Sequence, residues 1–272
     1  MKFTNGGVTI PPDSTHLSVL HISIDHIVYD DVDRDGAQET VAALFAGSQS
    51  GNQQLVAFDR DRSGRIITLG TVLATTGPIR QIARTTYSVQ PNGAVNARVG
   101  DYAGCCGDET PVLWQWRSYA WNGHSFHQVG GPTMFPVNPN VTETTVTTGD
   151  LVFGPAPDGI RHGTLSVTVS YLSGAIPDHL SIVFSLGTPG NVQLDGAASP
   201  PTHPATGGGT AVDVPTPAPG VARAYTFAFS RPANSTDTEF GVYVSGITAQ
   251  GVRLGEVTES NNGVIVTPRS VG

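Results

Sequence analysis

The sequence predicts an all-β protein with two domains, and three observations support this prediction. Gly (33 residues) and Pro (20 residues) are abundant in the 272-residue chain, while charged residues make up only 13%. Such a composition favours short strands and tight turns over long helices. No segment keeps a helical period over three or four turns, and none has eighteen consecutive apolar residues. A chain of this length can bury two separate cores.

The first half of the chain is predicted to be a series of β-hairpins. Six strand-like segments alternate with polar turns. They are residues 16–32, 39–47, 53–61, 64–74, 111–121 and 124–129. The turn Asn122-Gly123 is the strongest short hairpin signal among them, because a two-residue loop needs positive φ at both positions.

The domain boundary is placed near residue 140. Residues 130–145 supply Gly, Pro and Asn without any periodicity, as is typical of a linker. The predicted domains are therefore a β-rich domain, residues 1–139, and a second domain, residues 140–272.

The second half alternates apolar and polar residues more regularly. Its strand-like segments are residues 162–172, 178–186, 223–230, 240–250 and 262–268. Their number and spacing predict an immunoglobulin-like β-sandwich. Residues 187–220 are rich in Pro, Gly, Thr and Ala, and a structureless loop of this length is unusual. We therefore expect one or two short edge strands there, near residues 191–194 and 210–214.

The stretch "YDDVDRDGAQETVAALF" (residues 29–45) combines alternating acids with a glycine between two strands. Calcium takes six to eight oxygen ligands, and a tight loop can supply carboxylates at positions 1, 3 and 5. Gly36 provides the sharp bend that wraps the chain around an ion. The predicted ligands are Asp31, Asp33, Asp35, the backbone carbonyl of Ala37, and Glu39.

The pattern D-x-D-x-D-G-x-x-E does not fit an EF-hand, because position 12 is Ala42 and strands flank the loop. It resembles the calcium loop of FG-GAP and VCBS-type repeats, which occur in integrin-like propellers and bacterial surface proteins. The resemblance implies calcium as cofactor. A plain polar turn is the alternative, but clustered carboxylates repel one another unless a cation intervenes, and Arg34 offsets only one charge. The similar stretch "FDRDRSG" is surrounded by arginines, so we expect an ordinary turn there.

Two further features lie between residues 100 and 130. Cys105 and Cys106 are adjacent, so they form either a vicinal disulfide or two free thiols. Four aromatic residues lie on the hairpin that follows. An aromatic surface for sugar rings or a partner chain is one interpretation, and cross-strand core packing is the other. The candidate residues are Trp114, Trp116, Tyr119 and Trp121.

The end of the chain, "GEVTESNNGVIVTP", carries Glu259, Asn261 and Asn262 before its last predicted strand. This ending resembles CARDB-type domains, an immunoglobulin-like bacterial module related to cell adhesion. Together the two resemblances imply an FG-GAP-like hairpin domain followed by an immunoglobulin-like sandwich.

Charge and motifs narrow the function. The net charge of −8 and the pI of about 5.3 argue against nucleic acid and anionic membranes as partners. "GSQSG" has Gln49 in place of a nucleophilic serine, and neither HExxH nor a P-loop occurs. We therefore predict no catalytic residues and no enzyme.

The predicted function is non-catalytic. We expect an extracellular or cell-surface calcium-binding protein that acts in adhesion or in binding a protein or glycan partner. An export signal or anchor would precede the present sequence. The ectodomain of a membrane-anchored sensor and a hydrolase with an unrecognised site are the alternatives.

Overall fold

The computed structural model describes residues 3–12, 19–47, 51–104, 108–186, 192–196, 201–235 and 238–271. These residues form strands and turns, with one short 3₁₀ helix at Glu259–Asn261 and no α-helix among them. The all-β prediction is confirmed. In the described part of the chain, no helix has the length and apolar character needed to cross a membrane. The chain divides into two compact units, Met1–Asn138 and Pro139–Gly272.

The first unit contains two antiparallel sheets, and in each of them consecutive strands are neighbours. The first sheet comprises β1 (Gly7–Ile10), β2 (Leu20–Asp30), β3 (Glu39–Ala46), β4 (Asn52–Arg60) and β5 (Ile66–Ala74). The second sheet comprises β6 (Gln81–Val89), β7 (Val95–Gly100), β8 (Trp114–Trp121) and β9 (Phe126–Gly130).

One hydrophobic core joins the two sheets of this unit. Val41 and Leu55 of the first sheet and Val95 of the second are fully buried in it. Tyr87 of β6 places its hydroxyl 2.9 Å from the backbone carbonyl of His26 and 3.0 Å from that of Val41. Burial raises the pKa of Tyr87 to about 12, so the phenol keeps its proton as a donor to the first sheet.

The hairpin of β8 and β9 forms where Asn122-Gly123 predicted it, but its loop is longer than two residues. Trp121 pairs with Phe126, which leaves four loop residues. Only Gly123 has positive φ (91°). The side-chain oxygen of Asn122 accepts hydrogen bonds from the backbone N–H groups of His124 and Ser125, both at 2.9 Å, so it caps the loop.

The second unit also contains two sheets. Its strands are β10 (Val141–Thr148), β11 (Val152–Phe153), β12 (Ile160–Gly174), β13 (His179–Ser185), β14 (Gln193–Leu194), β15 (Thr202–Pro204), β16 (Thr210–Pro215), β17 (Ala222–Pro232), β18 (Phe240–Ile247), β19 (Gly255–Glu256), β20 (Gly263–Val266) and β21 (Arg269–Ser270). One sheet has the order β14-β17-β12-β10-β19, with β11 beside β12 and β21 beside β11. The other has the order β15-β16-β13-β18-β20.

Both sheets of the second unit enclose a single core, so this unit is a β-sandwich. Phe184 of β13 lies in one sheet, and Phe227 and Phe229 of β17 lie in the other. The ring of Phe184 meets those of Phe227 and Phe229 edge-on, with centroids 5.0 and 5.5 Å apart. Such contacts stabilise a core beyond the burial of apolar area alone.

The Pro- and Gly-rich region of residues 187–220 contributes three short strands. Strand β14 lies at the edge of its sheet, as expected, and β15 is an edge strand of the other sheet that the sequence did not predict. Strand β16 was also expected at an edge, but it lies inside its sheet because β15 pairs along its outer side. The described part of this region is therefore structured by pairing with both sheets.

Candidate metal centre

The acidic loop joins β2 to β3 beyond their last residue pair, Asp30 and Glu39. Its own carboxylates stabilise it by accepting hydrogen bonds from backbone N–H groups. Asp31 accepts hydrogen bonds from the backbone N–H groups of Arg34 (2.6 Å) and Gly36 (3.1 Å). Asp33 accepts one from the N–H of Asp35 at 3.1 Å. Arg34 and Gly36 have positive φ values of 68° and 95°, so the chain doubles back twice within a few residues.

Three carboxylates meet at this loop. Asp31, Asp33 and Glu39 each present an oxygen atom, and these three atoms lie within 4.8 Å of one another. Glu39 is only 1% exposed. Its Oε2 accepts hydrogen bonds from the backbone N–H groups of Val32 (2.8 Å) and Asp33 (3.4 Å). Its Oε1 is buried and has no hydrogen-bond partner among the described residues.

The strand pattern explains why Glu39 is buried. It is the first residue of β3, and side chains at every second position of a strand share one face. Val41 and Ala43 are fully buried on that face, and Glu39 stands in line with them. A buried carboxylate oxygen without a partner is costly, so this position favours a bound cation.

The electrostatics of the loop point the same way. Partial burial raises the pKa of Asp33, and the charges of Asp35, Asp59 and Asp31 raise it further, against the hydrogen bond from the Asp35 N–H. Burial also raises the pKa of Glu39, with added repulsion from Asp33 and Asp59. Both shifts have the direction expected for carboxylates that are crowded together and partly buried.

The sequence did not single out Asp59 as part of this site. It belongs to "FDRDRSG", which was expected to be an ordinary turn. The ladder of β3 and β4 pairs Thr40 with Phe58, the neighbours of Glu39 and Asp59 in the sequence, and the charge of Asp59 acts on Glu39. Only the strand register reveals this neighbour. Asp61 of the same stretch accepts a hydrogen bond from Ser63 Oγ (2.6 Å) within its own turn.

Two other predicted ligands lie next to the three carboxylates without belonging to that group. Asp35 is exposed, and its Oδ1 accepts a hydrogen bond from the backbone N–H of Ala37 at 2.8 Å. Their roles as ligands, Asp35 through its carboxylate and Ala37 through its carbonyl, stay predictions.

The second sheet of the unit also touches this loop. Gly93, in the turn between β6 and β7, has a φ of 79°. A Cβ atom at this position would lie 3.1 Å from the carbonyl oxygen of Val32 and 3.2 Å from that of Asp31. The backbone of the acidic loop therefore packs directly on this turn.

The four aromatic candidates occupy different environments. Trp116 is 46% exposed, and Trp114 lies under the guanidinium of Arg98, 4.9 Å from the ring centroid. Tyr119 is buried in the core, so the aromatic surface does not extend to it. The rings of Trp121 and Phe126 are tilted by 51° to each other, with centroids 5.2 Å apart. Trp114 and Trp116 lie on one face of β8, and Tyr119 and Trp121 lie on the other, because successive side chains of a strand alternate between its two faces.

The cysteine pair cannot be assigned a state from the structure, since Cys105 and Cys106 lie outside the described residues. The choice between a vicinal disulfide and two thiols stays open.

Comparisons with known proteins add no identity. No family model matches the chain, and no curated protein matches it significantly. The resemblances to FG-GAP loops and to CARDB-type domains therefore stay predictions.

Proposed function

We propose that the first unit binds one calcium ion in its acidic loop, and that the protein is a non-catalytic, calcium-stabilised binding module of the cell surface or extracellular space. The observation that supports the ion is the buried Oε1 of Glu39, which has no partner among the described residues and lies in a group of three carboxylates. A cation would satisfy this oxygen and offset the repulsion among the acids.

The donor set favours calcium over softer metals. Asp31, Asp33 and Glu39 offer only oxygen, which hard cations prefer. Asp35 and the carbonyl of Ala37 are close enough in sequence to complete a larger shell, together with water. A loop built from turns suits the flexible geometry of calcium better than the strict octahedron of magnesium.

The proposed location and role rest on two sequence resemblances. The acidic loop resembles those of FG-GAP repeats in surface proteins, and the sandwich of the second unit carries the chain ending that resembles CARDB-type modules. Adhesion, or binding of a protein or glycan, is the role that both resemblances imply.

A calcium titration of the full chain tests the ion. In the calcium-free protein, added calcium should raise the melting temperature, because an ion that binds only the folded form stabilises it by mass action. This amounts to about 2.7 kcal/mol at a calcium concentration one hundred times Kd. Asp33→Asn keeps the hydrogen-bond acceptor for the Asp35 N–H but removes the charge, and it should abolish most of this increase.

The matched control is Asp158→Asn. Asp158 is an exposed turn acid of the second unit that accepts a hydrogen bond from the Ile160 N–H at 3.2 Å. This variant loses the same charge and should respond to calcium like the wild type. If calcium leaves the wild-type melting curve unchanged, or stabilises Asp33→Asn equally, the loop is an ordinary turn and the proposal is wrong.

A further inference from the structure

Two histidines and an aspartate converge on the surface of the second unit. They lie on three neighbouring strands, β15, β16 and β13, which contribute His203, Asp213 and His179 in that order. His203 Nε2 lies 3.0 Å from Asp213 Oδ2, and His179 Nε2 lies 3.6 Å from the same oxygen. The register places each histidine diagonally across from Asp213, so both rings reach one carboxylate.

The other nitrogen of each ring already has an acceptor. His203 Nδ1 lies 3.1 Å from the backbone carbonyl of Pro204, and His179 Nδ1 lies 3.0 Å from Oδ2 of Asp178. An acceptor at Nδ1 fixes the orientation of each ring, while Nε2 faces Asp213 Oδ2 as a proton donor. A metal ion that binds here therefore replaces the proton at Nε2. Metal-binding histidines are held in this way by a carbonyl or carboxylate behind the ring.

We propose that His179, His203 and Asp213 form a binding site for a divalent transition-metal ion of the zinc type. Two imidazole nitrogens and one carboxylate oxygen are a donor set that such ions prefer, and it differs from the all-oxygen set of the acidic loop. The side chains of His203, Asp213 and His179 are 49%, 41% and 28% exposed, so water can occupy the remaining coordination position.

The ligand atoms of His179, His203 and Asp213 are not gathered as closely as those of the acidic loop, so an ion can bind only after these side chains move. The present separations are those of hydrogen bonds and ion pairs, while ligand atoms lie about 2.0–2.2 Å from a zinc ion. An ion placed between the three groups replaces the contacts of Asp213 with the rings. Exposed side chains can make this change by rotating, and the paired strands keep their register.

A role limited to surface ion pairing explains the arrangement less well. A single exposed pair contributes little to stability, and here one carboxylate serves two rings that are each oriented from behind. The unit also contains an ordinary pair for comparison. His162 Nδ1 lies 3.6 Å from Asp195 Oδ2 on the other sheet, with a single histidine.

Calorimetric titration of the full chain with Zn²⁺ tests the site, with calcium present in excess so that the acidic loop is not the acceptor. We expect one zinc ion per chain. His203→Gln and His179→Gln should each weaken binding by more than the roughly 10- to 100-fold that loss of an orienting partner costs. Asp178→Asn changes only an orienting partner, so it should weaken zinc binding by an amount within that range.

His162→Gln is the matched control and should bind zinc like the wild type. Histidine ring NMR signals supply a second measurement, in which zinc should shift the Nε2 resonances of His179 and His203. The proposal is overturned if no binding is detected at millimolar zinc, if binding survives both glutamine variants, or if His162→Gln weakens it equally. Calcium stabilisation of the first unit is measured separately, so failure of one site leaves the other testable.

Discussion

Glu39 shows how one side chain can couple a strand to a loop. Its backbone begins β3, and its carboxylate is buried with one oxygen bonded to the loop N–H groups and the other without a partner among the described residues. Because its folded pKa is raised, the ion-free loop is most stable when this acid is protonated, and it loses that contribution as pH rises through the folded pKa. A bound cation reverses this preference by stabilising the charged form.

Glu256 provides a separate test at the residue scale. It is 4% exposed, and it accepts hydrogen bonds from the backbone N–H of Thr144 (2.9 Å) and from Thr144 Oγ1 (2.6 Å). Burial raises its pKa from 4.5 to about 7, with a smaller contribution from the charge of Glu143. Its stabilising contribution is complete below pH 4.5 and is lost as pH rises to about 7. The loss amounts to about 3 kcal/mol.

Glu256→Gln keeps an acceptor for Thr144 without a charge. We expect its stability relative to wild type to increase between pH 4.5 and 8, as measured by urea unfolding at each pH. Glu239→Gln, which alters an exposed acid of the same unit, should show no such trend. A constant difference between Glu256→Gln and wild type across this range would contradict the assignment.

At the scale of elements, two glycines belong to the hairpin of β8 and β9. Substituting each of them compares the cost of backbone strain alone with the cost of strain plus a steric clash. Gly123 lies in the hairpin loop and Gly131 directly follows β9, and both have positive φ (91° and 82°). A Cβ atom on Gly123 meets nothing within 4 Å, whereas one on Gly131 lies 2.2 Å from the carbonyl oxygen of Trp116. Only the second substitution forces strands apart.

Gly123→Ala should therefore cost about 1 kcal/mol from its left-handed backbone alone. Gly131→Ala should cost at least about 3 kcal/mol, since it adds a backbone clash to the same strain. Chemical denaturation of the two variants measures the difference. Equal costs would show that β8 and β9 can move apart freely at this end.

Period-two alternation was enough to locate most of the longer strands, including β3, β4, β8 and β12. It did not locate β6, β7 or β10. In β6, "QIARTTYSV" places Arg and Thr among the apolar residues and hides the period. Strand β10 begins inside residues 130–145, for which a linker was predicted. The register between paired strands could not be predicted from the sequence either. The proximity of Asp59 to Glu39, and that of both histidines to Asp213, depends on which residues pair across strands, which local patterns do not specify.

At the scale of the whole molecule, each unit has its own buried core. The sandwich core of the second unit draws on both of its sheets, with Phe184, Leu165 and Phe227 fully buried. A unit with a complete core can fold alone. From sequence, the composition near residue 140 predicted a boundary there, because linkers lack apolar periodicity. What each unit binds is not encoded in such patterns.

We expect residues 139–272, expressed alone, to fold cooperatively, with a strand-rich circular dichroism spectrum and a single thermal transition. Phe227→Ala in this fragment should cost about 3–5 kcal/mol, as is usual for removal of a large buried ring. An unfolded wild-type fragment would show that the second unit depends on the first.

Gly93 lets the acidic loop pack on the second sheet of the first unit. Because the loop backbone packs on the turn of the second sheet, its carbonyls can approach that turn only where no side chain intervenes. If the loop binds an ion as proposed, that ion would also hold the two sheets of the first unit together where the loop meets this turn. The stiffness of this unit under tension would then follow the ionic content of the surrounding medium.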